Sequence, residues 1–392
     1  VIARLTVDLG AIRRNAARLR ELVAPARLAA VVKANAYGHG LTPVALALAP
    51  DVDAFCVYRV DEAALLREAG IAAPVLVLGP VEARELDLAH RSRAALALWS
   101  EGAFRRDAAR VARRRGARFA VHAKIDTGVT RLGLDRDRAP EALASYLADP
   151  DLALHGAFTH LAAAEELESS FTLGQLERFE SALEPLRAIL TERGVIRHAA
   201  ASAAAMLFPK LRLDLVRAGI ALYGIWPSEE TRCAVPGFEL EPALTWSTEL
   251  VVVRAVEAGR PVGYGCTFRT TRASRIGVLP IGYAEGLPRA LSNAGFALAG
   301  GRRVPIVGRV CMNMAFVDVT DVPGAAAGMP VTLLGRDGDA RIDPNDLAAA
   351  AGTIGYELVA RLPADIPRFY ESRASDADPT ASSAAARSKV PS

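Results

Sequence analysis

Up to Gly224 the chain alternates short apolar, β-branched runs with longer stretches rich in Ala, Leu, Arg and Glu. This alternation constrains the fold more than any other feature. Residues 28–33, 54–58, 75–78, 94–98, 119–126, 154–160, 195–200 and 215–221 read as strands. Residues 60–69, 101–115, 139–148 and 173–193 read as helices between them. Strand–helix–strand repeats imply crossover connections and parallel strands. Eight such units in this length fit a closed (β/α)8 TIM-type barrel better than an open sheet. In that fold the chemistry lies at the C-terminal ends of the strands.

The pattern changes after Gly224. Residues 226–242 are rich in Pro, Glu and Gly and read as a linker. Beyond them, short strands are expected at 245–256, 275–280, 304–307, 314–319 and 330–334, with few long helices. The expected organisation is therefore an α/β barrel over 10–225 and a smaller β-rich domain over 240–370. Residues 1–9 supply a strand that joins the second domain, and 371–392, rich in Ala, Ser, Pro and Asp, form a disordered tail. A chain of 392 residues, 51% hydrophobic, can fill both cores.

The net charge of +3 comes from interspersed charges, and the basic cluster at 110–118 reads as a solvated helix face. Nucleic acid is not an expected partner. No apolar run is long enough to span a bilayer, and residues 1–10 do not read as a signal peptide. Cys56, Cys233, Cys266 and Cys311 match no zinc spacing and no disulfide framework. Free thiols in a reducing cytoplasm, with no metal, are the simpler reading.

The most informative segment is Val31-Val32-Lys33-Ala34-Asn35-Ala36-Tyr37-Gly38-His39-Gly40. A lysine at the end of an apolar strand is partly desolvated, which favours the neutral amine that a covalent carbonyl adduct needs. The glycines let the backbone turn closely round a ligand. The alternative is a lysine snorkelling from a strand end. A second segment, Lys124 to Gly133 (Lys-Ile-Asp-Thr-Gly-Val-Thr-Arg-Leu-Gly), ends the fifth strand. Further candidates are Thr159-His160, Ser202 and Arg217-Ala218-Gly219-Ile220, at the ends of strands six, seven and eight. Ordinary ion pairs for Lys124, Arg131 and Arg217, and core packing for His160 and Gly219, are the bland alternatives.

These motifs, in this order from about Thr6 to Phe369, resemble those of the alanine racemase family. The resemblance implies pyridoxal 5'-phosphate as cofactor, an amino-acid substrate and a homodimer with shared active sites. It implies that Lys33 holds the cofactor covalently and is one catalytic base. Tyr264, in Val262-Gly263-Tyr264-Gly265, would be the other base, acting in the partner's site. Tyr37, Ser202, Gly219, Ile220 and Tyr356 would bind the cofactor phosphate. Arg217 would meet the ring nitrogen, where a guanidinium disfavours a second positive charge. His160 would lie between Arg217 and Tyr264 and orient both. Arg131 and Met312 would meet the substrate carboxylate, and Lys124 would be carbamylated to hold Arg131. Glu165, Tyr283 and Arg289 would line the access channel. The sequence departs from the family pattern at Ala201 (usually Asn), Ala218 (commonly Pro), Glu285 (usually Asp) and Asn313 (usually Asp). A serine or broad-specificity racemase, a decarboxylase on a similar plan and a non-catalytic carrier of the cofactor are the alternative readings. The second domain and Tyr264 argue against the last.

Overall fold

A computed structural model describes residues 3–100, 102–168 and 170–372. The expected tail lies, but for its first two residues, outside the described residues. Eight strands run parallel in the order Leu215–Ala218, Arg27–Val31, Ala54–Val57, Val75–Val77, Ala94–Leu98, Phe119–Asp126, Leu152–Phe158 and Ile196–His198. Backbone bonds from Asp214 N–H to Arg197 O and from Arg217 N–H to Ala200 O, both 3.0 Å, join the last strand to the first. The sheet therefore closes on itself as a (β/α)8 barrel. Its strands are buried almost throughout, as the continuous apolar runs require when helices cover one face and the barrel core fills the other.

Several elements end sooner than the sequence suggests. The strand before Ser202 stops at His198, and Ser202 opens the helix Ser202–Leu207. The eighth strand stops at Ala218, and Ile220–Tyr223 is a tight helical turn. The long helix expected at 173–193 is broken: Ser170–Leu183 and Arg187–Glu192 flank a short turn at Glu184–Leu186. Pro185 lacks the N–H that a continuous helix needs there. The presumed linker contains the helix Glu229–Ala234, capped by the Ser228 side chain on Thr231 N–H.

The remaining chain forms β sheets. In the largest, seven strands include Leu244–Glu249 against Pro330–Asp337, with Phe296–Ala299 and Arg302–Pro305 at one side. Strand Arg4–Asp8 pairs antiparallel with Leu244–Glu249 and parallel with Arg368–Glu371. Trp246 is wholly buried in this sheet. The single strand expected at 245–256 is two, Leu244–Glu249 and Val252–Val256. The second belongs to a separate three-stranded sheet with Ser274–Leu279 and Ala315–Asp318. No described helix is long and apolar enough to cross a membrane, and all four cysteines are free.

Candidate active site

Lys33 follows the first barrel strand directly and opens a turn of unusual hand. Ala34, Asn35, Ala36 and Tyr37 have φ of 53°, 55°, 52° and 53°. For residues with a Cβ this left-handed conformation costs about 1–2 kcal/mol each, so bonds from outside must hold it. The Glu62 carboxylate accepts Ala34 N–H at 2.7 Å, and Arg368 Nε donates to Gly38 O at 2.8 Å. Gly38 has φ 79°, and a Cβ there would lie 2.1 Å from Val359 O. The turn brings Lys33 and Tyr37 to the wall of one cavity of about 1230 Å³ at the C-terminal mouth of the barrel.

Lys124, Arg131 and Arg217 line the same cavity. Among the described residues none of these four cations, Lys33 included, makes an ion pair, so the ordinary salt bridges do not occur. Burial, then Arg131, favours the neutral amine of Lys33. Burial, then Arg131 and Arg217, brings Lys124 down to about 8. Asp126 does not neutralise Arg131. Its carboxylate instead accepts the N–H groups of Gly128, Val129, Thr130 and Arg131 at 2.9–3.2 Å, shaping the loop that presents the guanidinium.

Arg217 donates to His198 Nδ1 at 2.7 Å and to the carbonyls of Thr159 and Ala199 at 2.9 and 3.0 Å. Because Nδ1 accepts, the His198 proton sits on Nε2, which donates to His122 Nδ1 at 2.9 Å. His198 bonds directly to Arg217, and His160 lines the same cavity. Sequence reasoning missed His198 and His122. Both lie inside apolar strands, and only the barrel brings His198, nineteen residues away, onto Arg217. Burial and Arg217 keep both His160, at about 3, and His198 neutral.

Ser202, Gly219, Ile220 and Tyr356 complete the wall. Ser202 Oγ accepts Gly219 N–H at 3.0 Å. A Cβ on Gly219 would come 2.6 Å from the Tyr37 hydroxyl, so only glycine leaves that corner open. Tyr37 and Tyr356 have ring centres 6.4 Å apart, and Tyr356 Oη reaches Glu165 Oε1 at 3.5 Å. Hydroxyls and amides at one end and unpaired cations at the other suit an anion with a phosphate and a second acidic oxygen. The residues therefore fit pyridoxal 5'-phosphate.

The alanine racemase N-terminal domain description matches residues 7–227, and the C-terminal domain description matches 243–370. An alanine racemase of Symbiobacterium thermophilum is 43% identical over 366 residues, covering 93% of this chain and 96% of that protein. The chain belongs to the alanine racemase family. Among solved structures, the alanine racemase of Streptomyces lavendulae superposes with TM-score 0.88 at 31% identity, covering 95% of this chain and 98% of that one. The Bartonella henselae alanine racemase with covalently bound pyridoxal phosphate gives 0.84 at 28% identity, covering 95% and 100%. Membership makes the chain an isomerase.

The remaining residues singled out by the racemase resemblance do not reach the cavity of their own chain. Tyr264 stands on the turn Tyr264–Cys266 of the β domain and is 73% exposed. Met312 is 57% exposed, and Tyr283 and Arg289 are exposed as well. Glu165 does line the cavity. Two departures from the racemase pattern touch each other: Asn313 Nδ2 donates to Glu285 Oε1 at 2.7 Å. Glu285 Oε2 also accepts Gly282 N–H at 2.8 Å, so the pair ties the Tyr283 turn to the Met312 loop.

Proposed function

We propose that the protein is an alanine racemase that uses pyridoxal 5'-phosphate held by Lys33, in a homodimer whose sites each combine two chains. One observation carries this reading. Lys33, Arg131 and Arg217 converge on one cavity without acidic partners among the described residues, while Tyr264 is exposed outside it. A tyrosine so placed serves a site only in a second copy.

The cofactor, when bound, supplies an electron-withdrawing ring that acidifies the α-hydrogen of the substrate. Ser202, Tyr37, Tyr356 and the amides of Gly219 and Ile220 hold its phosphate. Arg217 would face its ring nitrogen. Two carbonyls and an imidazole nitrogen accept from the guanidinium, so it stays protonated and keeps the adjacent nitrogen from gaining a proton. A ring held so would be a weaker electron sink, which favours return of a proton to Cα over transamination. Arg131 pairs with the substrate carboxylate, aided by Met312 N–H of the partner. Lys124, at about 8, supplies the neutral amine that carbon dioxide requires, and its carbamate is the anion that steadies Arg131. Lys33, its amine released when the substrate amine takes its place on the cofactor, would take the α-proton from one face, as the base for D-alanine. The partner's Tyr264 works from the other face, as the base for L-alanine. His160, kept neutral, stands beside these groups in the cavity. Glu165, with Tyr283 and Arg289 of the partner, flanks the approach. The product serves peptidoglycan synthesis.

Incubating the purified protein with L-alanine and with L-serine, followed by chiral chromatography, tests the activity. D-alanine should form, and faster than D-serine. Borohydride reduction and peptide mapping should place the cofactor on Lys33. No D-alanine from a protein carrying the cofactor on Lys33 would refute the activity while leaving the binding intact.

A further inference from the structure

The Lys33 turn has no glycine at its four left-handed positions, so its own sequence does not favour the shape it takes. Two side chains from distant parts of the fold hold its ends. Glu62, on the helix Val60–Glu68, is 5% exposed. Its Oε1 accepts Ala34 N–H at 2.7 Å, and its Oε2 accepts Tyr58 and Arg59 N–H at 2.9 and 3.0 Å. It pairs with no cation among the described residues. Arg368, on the strand Arg368–Glu371 of the β domain, gives Nε–H to Gly38 O at 2.8 Å. Its remaining donors reach the carbonyls of Leu362, Pro363, Ala364 and Ile366 at 2.9–3.4 Å.

We propose that Glu62 and Arg368 are positioning residues for Lys33, gripping the first amide and the last carbonyl of the turn that aims it. The proposal rests on Lys33 being the cofactor-bearing base. A charged acceptor at one end and a charged donor at the other form the stronger kind of hydrogen bond, and together they fix where the lysine stem leaves the backbone. Glu62 also acts on the amine by charge. The groups around Lys33 are otherwise Arg131 and Lys124 from the fifth barrel strand and its loop, Arg217 from the eighth, Cys56 from the second and His160 after the sixth. Arg131 and Arg217 are cations, the thiol and imidazole are neutral, and Lys124 is a cation only without its carbamate. Glu62 therefore opposes a positive surround, and a neutral replacement should make a positive charge on the Lys33 nitrogen harder to hold. An amide in its place offers one oxygen for three N–H groups and turns its own N–H groups toward them.

The test compares holoenzyme of the parent protein, Glu62→Gln, Arg368→Lys and Asp53→Asn. Asp53 makes the same kind of contact at the far end of the same strand, accepting Leu28 N–H at 2.8 Å, and has no part in the cavity. For Glu62→Gln, kcat should fall at least tenfold with KM changed less than threefold. The pH midpoint of the visible band of the Lys33-bound cofactor should move down by about one pH unit. Arg368→Lys keeps the charge but loses the Nε–H, so kcat should fall severalfold with the midpoint unmoved. Asp53→Asn should lower thermal stability and leave kcat and midpoint alone. The proposal is overturned if Glu62→Gln retains kcat within twofold with an unmoved midpoint, or if Asp53→Asn loses as much activity. Should Glu62→Gln not fold, Arg368→Lys decides, and unchanged kcat there overturns the grip. If reduction maps the cofactor of the parent protein to another lysine, the Lys33 reading itself has failed, a result distinct from all of these.

Discussion

Acid should loosen this protein through His39, and the size of the effect follows from how the ring is buried. His39 lies against the Lys33 turn, fully enclosed, with its ring 4.5 Å from that of Tyr223. Its Nδ1 faces the carbonyls of Ala36 and Tyr37 at 3.1 and 2.8 Å, so Nδ1 carries the proton. Among the described residues its Nε2 has no hydrogen-bond partner. A second proton on Nε2 would be a buried charge facing nothing, and burial brings the ring down to about 4 from the ordinary 6.5. Between those values the unfolded chain binds a proton that the folded protein refuses. The stabilising contribution is therefore complete above pH 6.5 and is lost as the pH falls to 4. At ~1.4 kcal/mol per pH unit the loss is about 3 kcal/mol. Urea unfolding of the parent protein and of His39→Asn, which retains a donor for the two carbonyls, should be compared from pH 7 to pH 4. The advantage of the parent protein should shrink by about 3 kcal/mol, other histidines cancelling in the difference. Carbon-13 histidine NMR gives the direct reading: the His39 ring should stay neutral down to pH 5. A midpoint near 6.5, or a stability difference constant across the range, would refute the argument.

Gly219→Ala should weaken cofactor affinity at least tenfold, measured by fluorescence titration of the apoprotein, because the new Cβ would crowd the Tyr37 hydroxyl at 2.6 Å; affinity within twofold would count against the phosphate cradle. Mixing inactive Lys33→Ala and Tyr264→Phe proteins should restore part of the activity, since some mixed dimers carry one intact site. No recovery despite demonstrated subunit exchange would exclude shared sites. In D₂O, Tyr264→Ala should lose α-proton exchange from L-alanine while Lys33 still exchanges that of D-alanine. Equal loss for both enantiomers, with cofactor bound, would end the assignment of one base to each face.

The barrel was legible because its strands are covered on both faces and so read as plain apolar runs, from Ala54–Val57 to Phe119–Asp126. The motif lysines and arginines were legible because each falls at or just after such a run. The β domain was harder. Phe296–Ala299 and Arg368–Glu371 were missed, since four residues that mix charged, aromatic and small side chains carry little alternation. The break at Leu250 and Val251 was hidden inside an apolar stretch, where the bond from Leu250 N–H to Met329 O turns the chain aside. The hand of the Lys33 turn left no trace either. Ala and Tyr rarely take this hand, and Glu62 and Arg368, which bond to the two ends of the turn, come from other parts of the fold. The pairing of Asn313 with Glu285 was likewise invisible: two departures from the family pattern looked independent until the Tyr283 turn and the Met312 loop were seen side by side.

Strand Arg4–Asp8 sits between Leu244–Glu249 and Arg368–Glu371, and this sets a timetable for synthesis. The barrel needs nothing beyond Ala218 to complete its ring of strands. Strand Arg4–Asp8 is made before both of its partners and must wait for them. At roughly 5–20 residues per second, about 10–50 s pass before Leu244–Glu249 is made and about 20–70 s before Arg368–Glu371 is. Both of its edges stay unpaired for the first of these intervals, and one edge for the rest of the second. An exposed strand is an open invitation to a stranger's strand. The charges that flank it, Arg4 and Asp8 with Arg13 and Arg14 close behind, are well placed to discourage that company until the true neighbours arrive.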